Sequence, residues 1–148
     1  MRTVAGLLCL LSVGASAAVP QAWYGTWVER SASPMTLVVE PAGDDAARFT
    51  YSMPPAFKTQ VVMSFETAFD GRDVVVFVDG KPTSEVMTIK RIDDRHIVSA
   101  WKVGGKMAGT SRSELSADGK VVKVENDDAQ PVGGAAAKTT QYWDKKSP

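Results

Sequence analysis

Past residue 20, hydrophobic and polar residues alternate along most of the chain, in short runs separated by turn residues. In 48–53, Phe49, Tyr51 and Met53 alternate with Arg48, Thr50 and Ser52, a period of two that suits a half-buried strand and fits no helix. Met35, Leu37 and Val39 recur in the same way within 35–40, as do Val61, Met63, Phe65 and Phe69 within 60–70. Further strand-like runs cover 74–78, 84–92, 95–103, 107–115, 121–125 and 135–143. With the opening stretch 23–27, the pattern predicts about ten short strands and no helix of ordinary length in 19–148.

The punctuation fits the same plan. Asp70-Gly71, Asp79-Gly80 and Asp118-Gly119 each separate two strand-like runs. Glycine accepts the positive φ of a tight hairpin, so each pair predicts a reversal. Pro41-Ala42-Gly43, Asp93-Asp94 and Gly104-Gly105 supply further turns. No repeat of about 20 to 50 residues is present. The stretch 126–134 is the most loop-like and reads as a flap at a barrel mouth or as a plain long hairpin.

In Trp23-Tyr24-Gly25-Thr26-Trp27, an extended strand would put Trp23, Gly25 and Trp27 on one face. Each indole buries roughly 150 to 250 Å², enough to plug the end of a small barrel, and the glycine lets another segment come close. Trp23, Gly25 and Trp27 are therefore expected to close a barrel. This Trp-x-Gly-x-Trp opening resembles the aromatic-x-Gly-x-Trp signature of lipocalins and intracellular fatty-acid-binding proteins, the calycin group. Residues 113–120 and 140–145 look like the last two hairpin strands of fatty-acid-binding proteins. The chain past its leader is also similar to a group of bacterial exported lipocalin-like proteins. In that group a turn like 69–73, an Arg91-Ile92-Asp93 segment and a turn like 116–120 recur in this order.

The resemblance implies an all-β fold, a single antiparallel up-and-down barrel of about 8–10 strands. In the fatty-acid-binding pattern, arginines and a tyrosine from the last strands meet the ligand's carboxylate. By resemblance Arg112 and Tyr142 come near such positions, while Thr140 stands where the closing Arg-x-Tyr pair would have its arginine. A basic side chain from the chain end packs over the signature tryptophan in calycins, which here leaves Lys138, Lys145 or Lys146. Too few residues separate the first two strands for a helix-turn-helix lid, and no C-terminal helix follows the last one.

The expected ligand-binding set is Tyr51, Met53, Met63, Phe65, Arg112 and Tyr142. Met35, Leu37, Val39, Phe49, Val74, Val76 and Met107 share the barrel interior with several of these. Methionines line adaptable apolar pockets, but the same residues fill a solid core equally well, and alternation does not decide between the two.

The first residues change the setting more than the fold. Met1-Arg2-Thr3, an apolar run over 4–13 and Gly14-Ala15-Ser16-Ala17-Ala18 form a secretory signal, too short to span a bilayer. Cleavage is expected after Ala17 or Ala18, making 1–18 a leader and 19–148 one lipocalin-like domain, periplasmic or secreted, with no membrane insertion. The single cysteine, Cys9, lies in the leader, so the mature chain would have no disulfide, thiolate metal site or cysteine nucleophile. The 17 basic and 17 acidic residues balance, so nothing draws the chain to nucleic acid or to an anionic membrane.

Candidate chemistry is sparse. His96 is the sole histidine, which excludes a multi-histidine metal site and reads as a solvent-facing residue at a strand start. Asp44-Asp45, Asp93-Asp94 and Asp127-Asp128 lack the spacing of a calcium loop. The residues thus predict no catalysis, no metal and no cofactor. They point to an exported binder of a small hydrophobic or amphipathic ligand. The alternative is a protein-interaction module, such as an inhibitor of a secreted hydrolase, using 54–58 or 126–134.

Overall fold

The computed structural model describes residues 19–54, 60–129 and 137–148. The expected leader, and most of the segments proposed for protein capture, lie outside the described residues. Among the described residues ten strands follow one another: β1 (Gly25–Glu29), β2 (Thr36–Pro41), β3 (Ala47–Ser52), β4 (Val62–Thr67), β5 (Asp70–Val78), β6 (Lys81–Arg91), β7 (His96–Val103), β8 (Lys106–Leu115), β9 (Val121–Asp128) and β10 (Lys138–Lys145). Each pairs antiparallel with its sequence neighbours, and β1 pairs with β10 through Trp27↔Lys145 and Glu29↔Trp143. The barrel is therefore closed and leaves no free edge. The short strands expected from alternation, and the up-and-down barrel that the resemblance implies, are what is found.

Two local expectations need correction. Trp23 is not part of the first strand; it ends a 3-10 turn, Gln21–Trp23, folded beneath the barrel. Its indole Nε1 donates to the carbonyl of Asp94 at 2.9 Å, a partner an extended strand would not reach. The reversal expected at Asp70-Gly71 falls earlier, at Phe69, which takes φ 57° and buries its ring. Thr67 Oγ1 accepts the Phe69 N–H at 3.1 Å, which holds this costly conformation. Gly71, at φ 81°, instead sits at a register shift in β5. At Asp79-Gly80 both residues have positive φ, as the sequence predicts for a two-residue hairpin.

Strand direction sorts the turns to two ends. The β2–β3, β4–β5, β6–β7 and β8–β9 connections gather with the 3-10 turn at one end, and the β5–β6 and β7–β8 turns lie at the other. Side chains at the first end fill the barrel: Trp27, Phe49, Phe65, Phe69, Leu115 and Trp143 are buried. Phe49 stacks on Phe65 with centroids 5.2 Å apart and meets Phe69 at 5.8 Å. Trp27 is fully buried, and its Nε1 donates to the Trp23 carbonyl at 3.1 Å. Lys145 Nζ lies over the Trp27 ring, so of the three lysines proposed for this place Lys145 takes it.

Candidate functional site

Above this plug the barrel is hollow. A cavity of about 260 Å³ opens between the aromatic floor and the far end, slightly below the roughly 300 Å³ expected of a small-molecule pocket. The interior is thus filled at one end and open at the other, which alternation alone could not decide. Tyr51 forms part of the floor. Its ring meets Trp143 edge-on at 6.0 Å and lies 6.3 Å from Phe65. Burial away from water pushes the Tyr51 hydroxyl up to about 12. That hydroxyl has no hydrogen-bond partner among the described residues, and it is not sealed in.

One wall is apolar and soft. Met35 and Leu37 from β2 and its approach, Met53 and Met63 around β3 and β4, and Met87 from β6 line it. Unbranched thioether side chains re-pack around ligands of different outline. Trp101 closes this wall where it turns toward β8. It stands opposite Gly109, where a Cβ would lie 2.3 Å from the indole Cζ2. The ring lies flat against that strand only because residue 109 has no side chain.

The other wall is polar. Ser99 of β7 and Ser111 of β8 are cross-strand partners with hydroxyl oxygens 2.5 Å apart. Ser111 pairs in register with Asn126 of β9, whose Nδ2 donates to Gln141 Oε1 on β10 at 3.2 Å and to Thr139 Oγ1 at 3.3 Å. Gln141 Nε2 donates in turn to Glu29 Oε1 at the end of β1, at 2.9 Å. A belt of polar side chains therefore crosses five adjacent strands. Among the described residues no charged side chain lines the cavity itself.

Of the six residues expected to meet a ligand, Tyr51, Met53 and Met63 line the cavity, and Phe65 lies buried in the floor next to them. Arg112 and Tyr142 do not join them; both are exposed. Strand parity is the cause. Ser111 faces in, so Arg112 faces out, opposite Glu125 in the β8–β9 register. Trp143 is buried inside, so its neighbour Tyr142 is turned outward, beneath the Arg30 guanidinium at 5.6 Å. Met107, also expected inside, is 48% exposed. Ser99, Ser111, Ser113, Asn126 and Gln141 line the cavity and were not anticipated. Counting by twos from Ile97, Leu115, Val122 and Trp143, all buried, would have found them.

His96 begins β7 on the outside of the filled end. Its Nδ1 lies 2.8 Å from Asp93 Oδ1, and its side chain is 44% exposed. The backbone N–H of Arg95, and then the histidine, hold the Asp93 carboxyl below the usual range. Among the described residues no group of three or more His, Cys, Asp or Glu side chains could hold a metal, and no helix is long and apolar enough to cross a membrane.

Ten antiparallel strands closed in sequence order, with a tryptophan plug under a basic side chain from the chain end, define a calycin-like barrel. No protein-family model matches the chain, and no curated protein sequence does. Among solved structures it is similar to the fluorescent protein UnaG, at 12% identity and a TM-score of 0.61, over 85% of this chain and 98% of that one. A variant of UnaG matches with the same identity and TM-score, over 86% of this chain and 99% of the other. The likeness is one of fold, and it carries the calycin barrel rather than the bacterial exported group.

Proposed function

We infer that this chain is a non-enzymatic binding protein that holds a small apolar or amphipathic molecule in the open half of its barrel. The half-hollow interior carries this reading. A protein selected only to present an outer surface gains stability by filling such a space, since unfilled core volume costs about 24 cal/mol per Å³. The methionine wall, the free Tyr51 hydroxyl and the polar belt give the space both a soft surface and directional partners. A protein-interaction module that works through its outer surface has no use for an internal space, so the cavity favours the binder. Export through a leader at 1–18 to the periplasm or beyond belongs to the same proposal, and places the binder where it would meet ligands outside the cytoplasm.

Native mass spectrometry of the protein purified from its own host, before and after solvent extraction, tests this. A mass beginning at Ala18 or Val19, with an adduct that extraction removes, is the expected result. A clean mass, together with no uptake of a neutral polarity-sensitive dye such as 1-aminoanthracene, would overturn the binding reading. A start at Met1 would overturn the export reading alone.

A further inference from the structure

The polar belt has a direction, and Glu29 sets it. A carboxylate only accepts hydrogen bonds. Glu29 Oε1 therefore faces the amide nitrogen of Gln141, at 2.9 Å, which turns Gln141 Oε1 toward β9. That oxygen requires a donor, so Asn126 presents Nδ2 to it at 3.2 Å. The same Nδ2 also serves Thr139. Both amides are thereby oriented by one charge, through three hydrogen-bonded side chains rather than by an arbitrary choice of flip. Asn126 Oδ1 is left over. No described residue donates to it, and no sealed side-chain oxygen or nitrogen among the described residues lacks a partner, so this acceptor stays accessible on a cavity-lining side chain.

The charges around the belt agree with that polarity. Glu29 makes no ion pair among the described residues; its other oxygen meets the Met35 N–H and the Ser31 hydroxyl at 3.4 Å each. Arg30, the nearest cation in sequence, is held on the outer face by a two-point pair with Asp144. Arg112 is outside as well. Among the described residues, an anionic head group in the cavity would find no cation there. It would lie beside a free carbonyl oxygen whose amide chain ends on a carboxylate.

Resting on the binding function inferred above, we propose that the cavity selects an uncharged amphiphile whose head group donates a hydrogen bond, such as a primary alcohol, and rejects the carboxylate of a fatty acid. The apolar chain lies along the methionine wall, and the hydroxyl donates to Asn126 Oδ1. Glu29 acts at a distance, as a positioning residue that keeps the amides turned so that this acceptor is offered.

Displacement of bound 1-aminoanthracene at neutral pH tests the proposal with three probes of equal carbon number: 1-decanol, its isomer methyl nonyl ether, and decanoate. The ether is uncharged and cannot donate. The expected result is that decanol displaces the dye at concentrations at least tenfold lower than either of the others. In Glu29→Gln, whose side-chain amide can itself donate, the preference of decanol over the ether falls at least threefold. Equal potency of alcohol and ether, or tighter binding of decanoate, overturns the selectivity while leaving the binding function standing. Failure of the dye to bind at all removes the binding function, and the selectivity with it. The comparison of probes on the unaltered protein decides the matter even if Glu29→Gln does not fold.

Discussion

Lys145 Nζ lies 5.0 Å from the centre of the Trp27 ring and donates to the Ala22 carbonyl at 2.9 Å. One side chain from the last strand thus clamps both the plug and the turn beneath it. The Lys145 stem reaches this place over Gly25, where a Cβ would meet Lys145 Cε at 2.9 Å. The Trp-x-Gly-x-Trp spacing acquires a physical meaning here. The second tryptophan fills the barrel end, the glycine clears a path for the cation, and the first tryptophan underlies the plug.

Replacing Lys145 with alanine removes a cation–π contact worth about 0.5–1 kcal/mol and a hydrogen bond worth about 1 kcal/mol. The expected loss is about 1–2 kcal/mol, read from urea unfolding midpoints. Gly25→Ala is expected to cost more alone, because φ 132° is strained for alanine and the new methyl meets the lysine stem. Combined with Lys145→Ala, the steric part disappears and the strain remains, so the two costs sum to less than additivity predicts. Strict additivity would show that the stem and Gly25 do not touch.

The barrel was legible in the chain because its evidence is local. Phe49 and Tyr51, or Met63 and Phe65, declare an inner face within a few residues, and the Asp79-Gly80 hairpin needs no distant partner. Which end is hollow depends on how strands meet across the barrel, and that is not local. The belt was missed for a related reason: Ser99, Ser111, Asn126 and Gln141 are small or polar residues on inner faces, and hydrophobic alternation passes over them. Tyr142 illustrates the opposite error. Two aromatic neighbours cannot both face inward, and the resemblance favoured the tyrosine where packing chose Trp143.

Gly109→Ala tests the Trp101 wall. Its Cβ would lie 2.3 Å from Cζ2 and 2.7 Å from two further ring atoms, so the indole must leave its position. Overpacking of this kind costs about 1–3 kcal/mol. Unfolding midpoints should fall accordingly, and dye affinity should change because a cavity wall has moved. In a Trp101→Ala background the same substitution should cost almost nothing; a cost of equal size there would place the effect in the β8 backbone.

Acid should weaken the fold late. Asp70, Asp93, Asp118, Glu125 and Asp144 are all held below their ordinary values, Asp144 chiefly by its hydrogen bond from Arg30 and Asp118 by that from the Ser116 hydroxyl. A depressed carboxyl contributes stability above its unfolded value of about 4, and the contribution is lost as pH falls through the lower folded value. Urea midpoints should therefore hold nearly constant from pH 7 to 5 and decline below about 4. Asp144→Asn should shallow the decline, and an unchanged slope would show that this pair is too well solvated to matter.

Tyr51 offers a reading of the cavity floor from the alkaline side. Its neutral form is favoured in the fold, with ionisation pushed up to about 12 by burial. The ordinary phenol ionises near 10. Stability from this group is therefore full below about pH 10 and is lost as pH rises toward 12. Absorbance titration near 295 nm should show one of the three tyrosines ionising in that late step, and Tyr51→Phe should abolish it. Because the hydroxyl has no partner among the described residues, the same substitution should leave the unfolding midpoint at neutral pH unchanged or slightly higher. Dye affinity separates the two duties of the ring. If Tyr51→Phe keeps both fold and affinity, the floor serves only by its shape; if affinity falls at constant stability, the hydroxyl is a ligand contact.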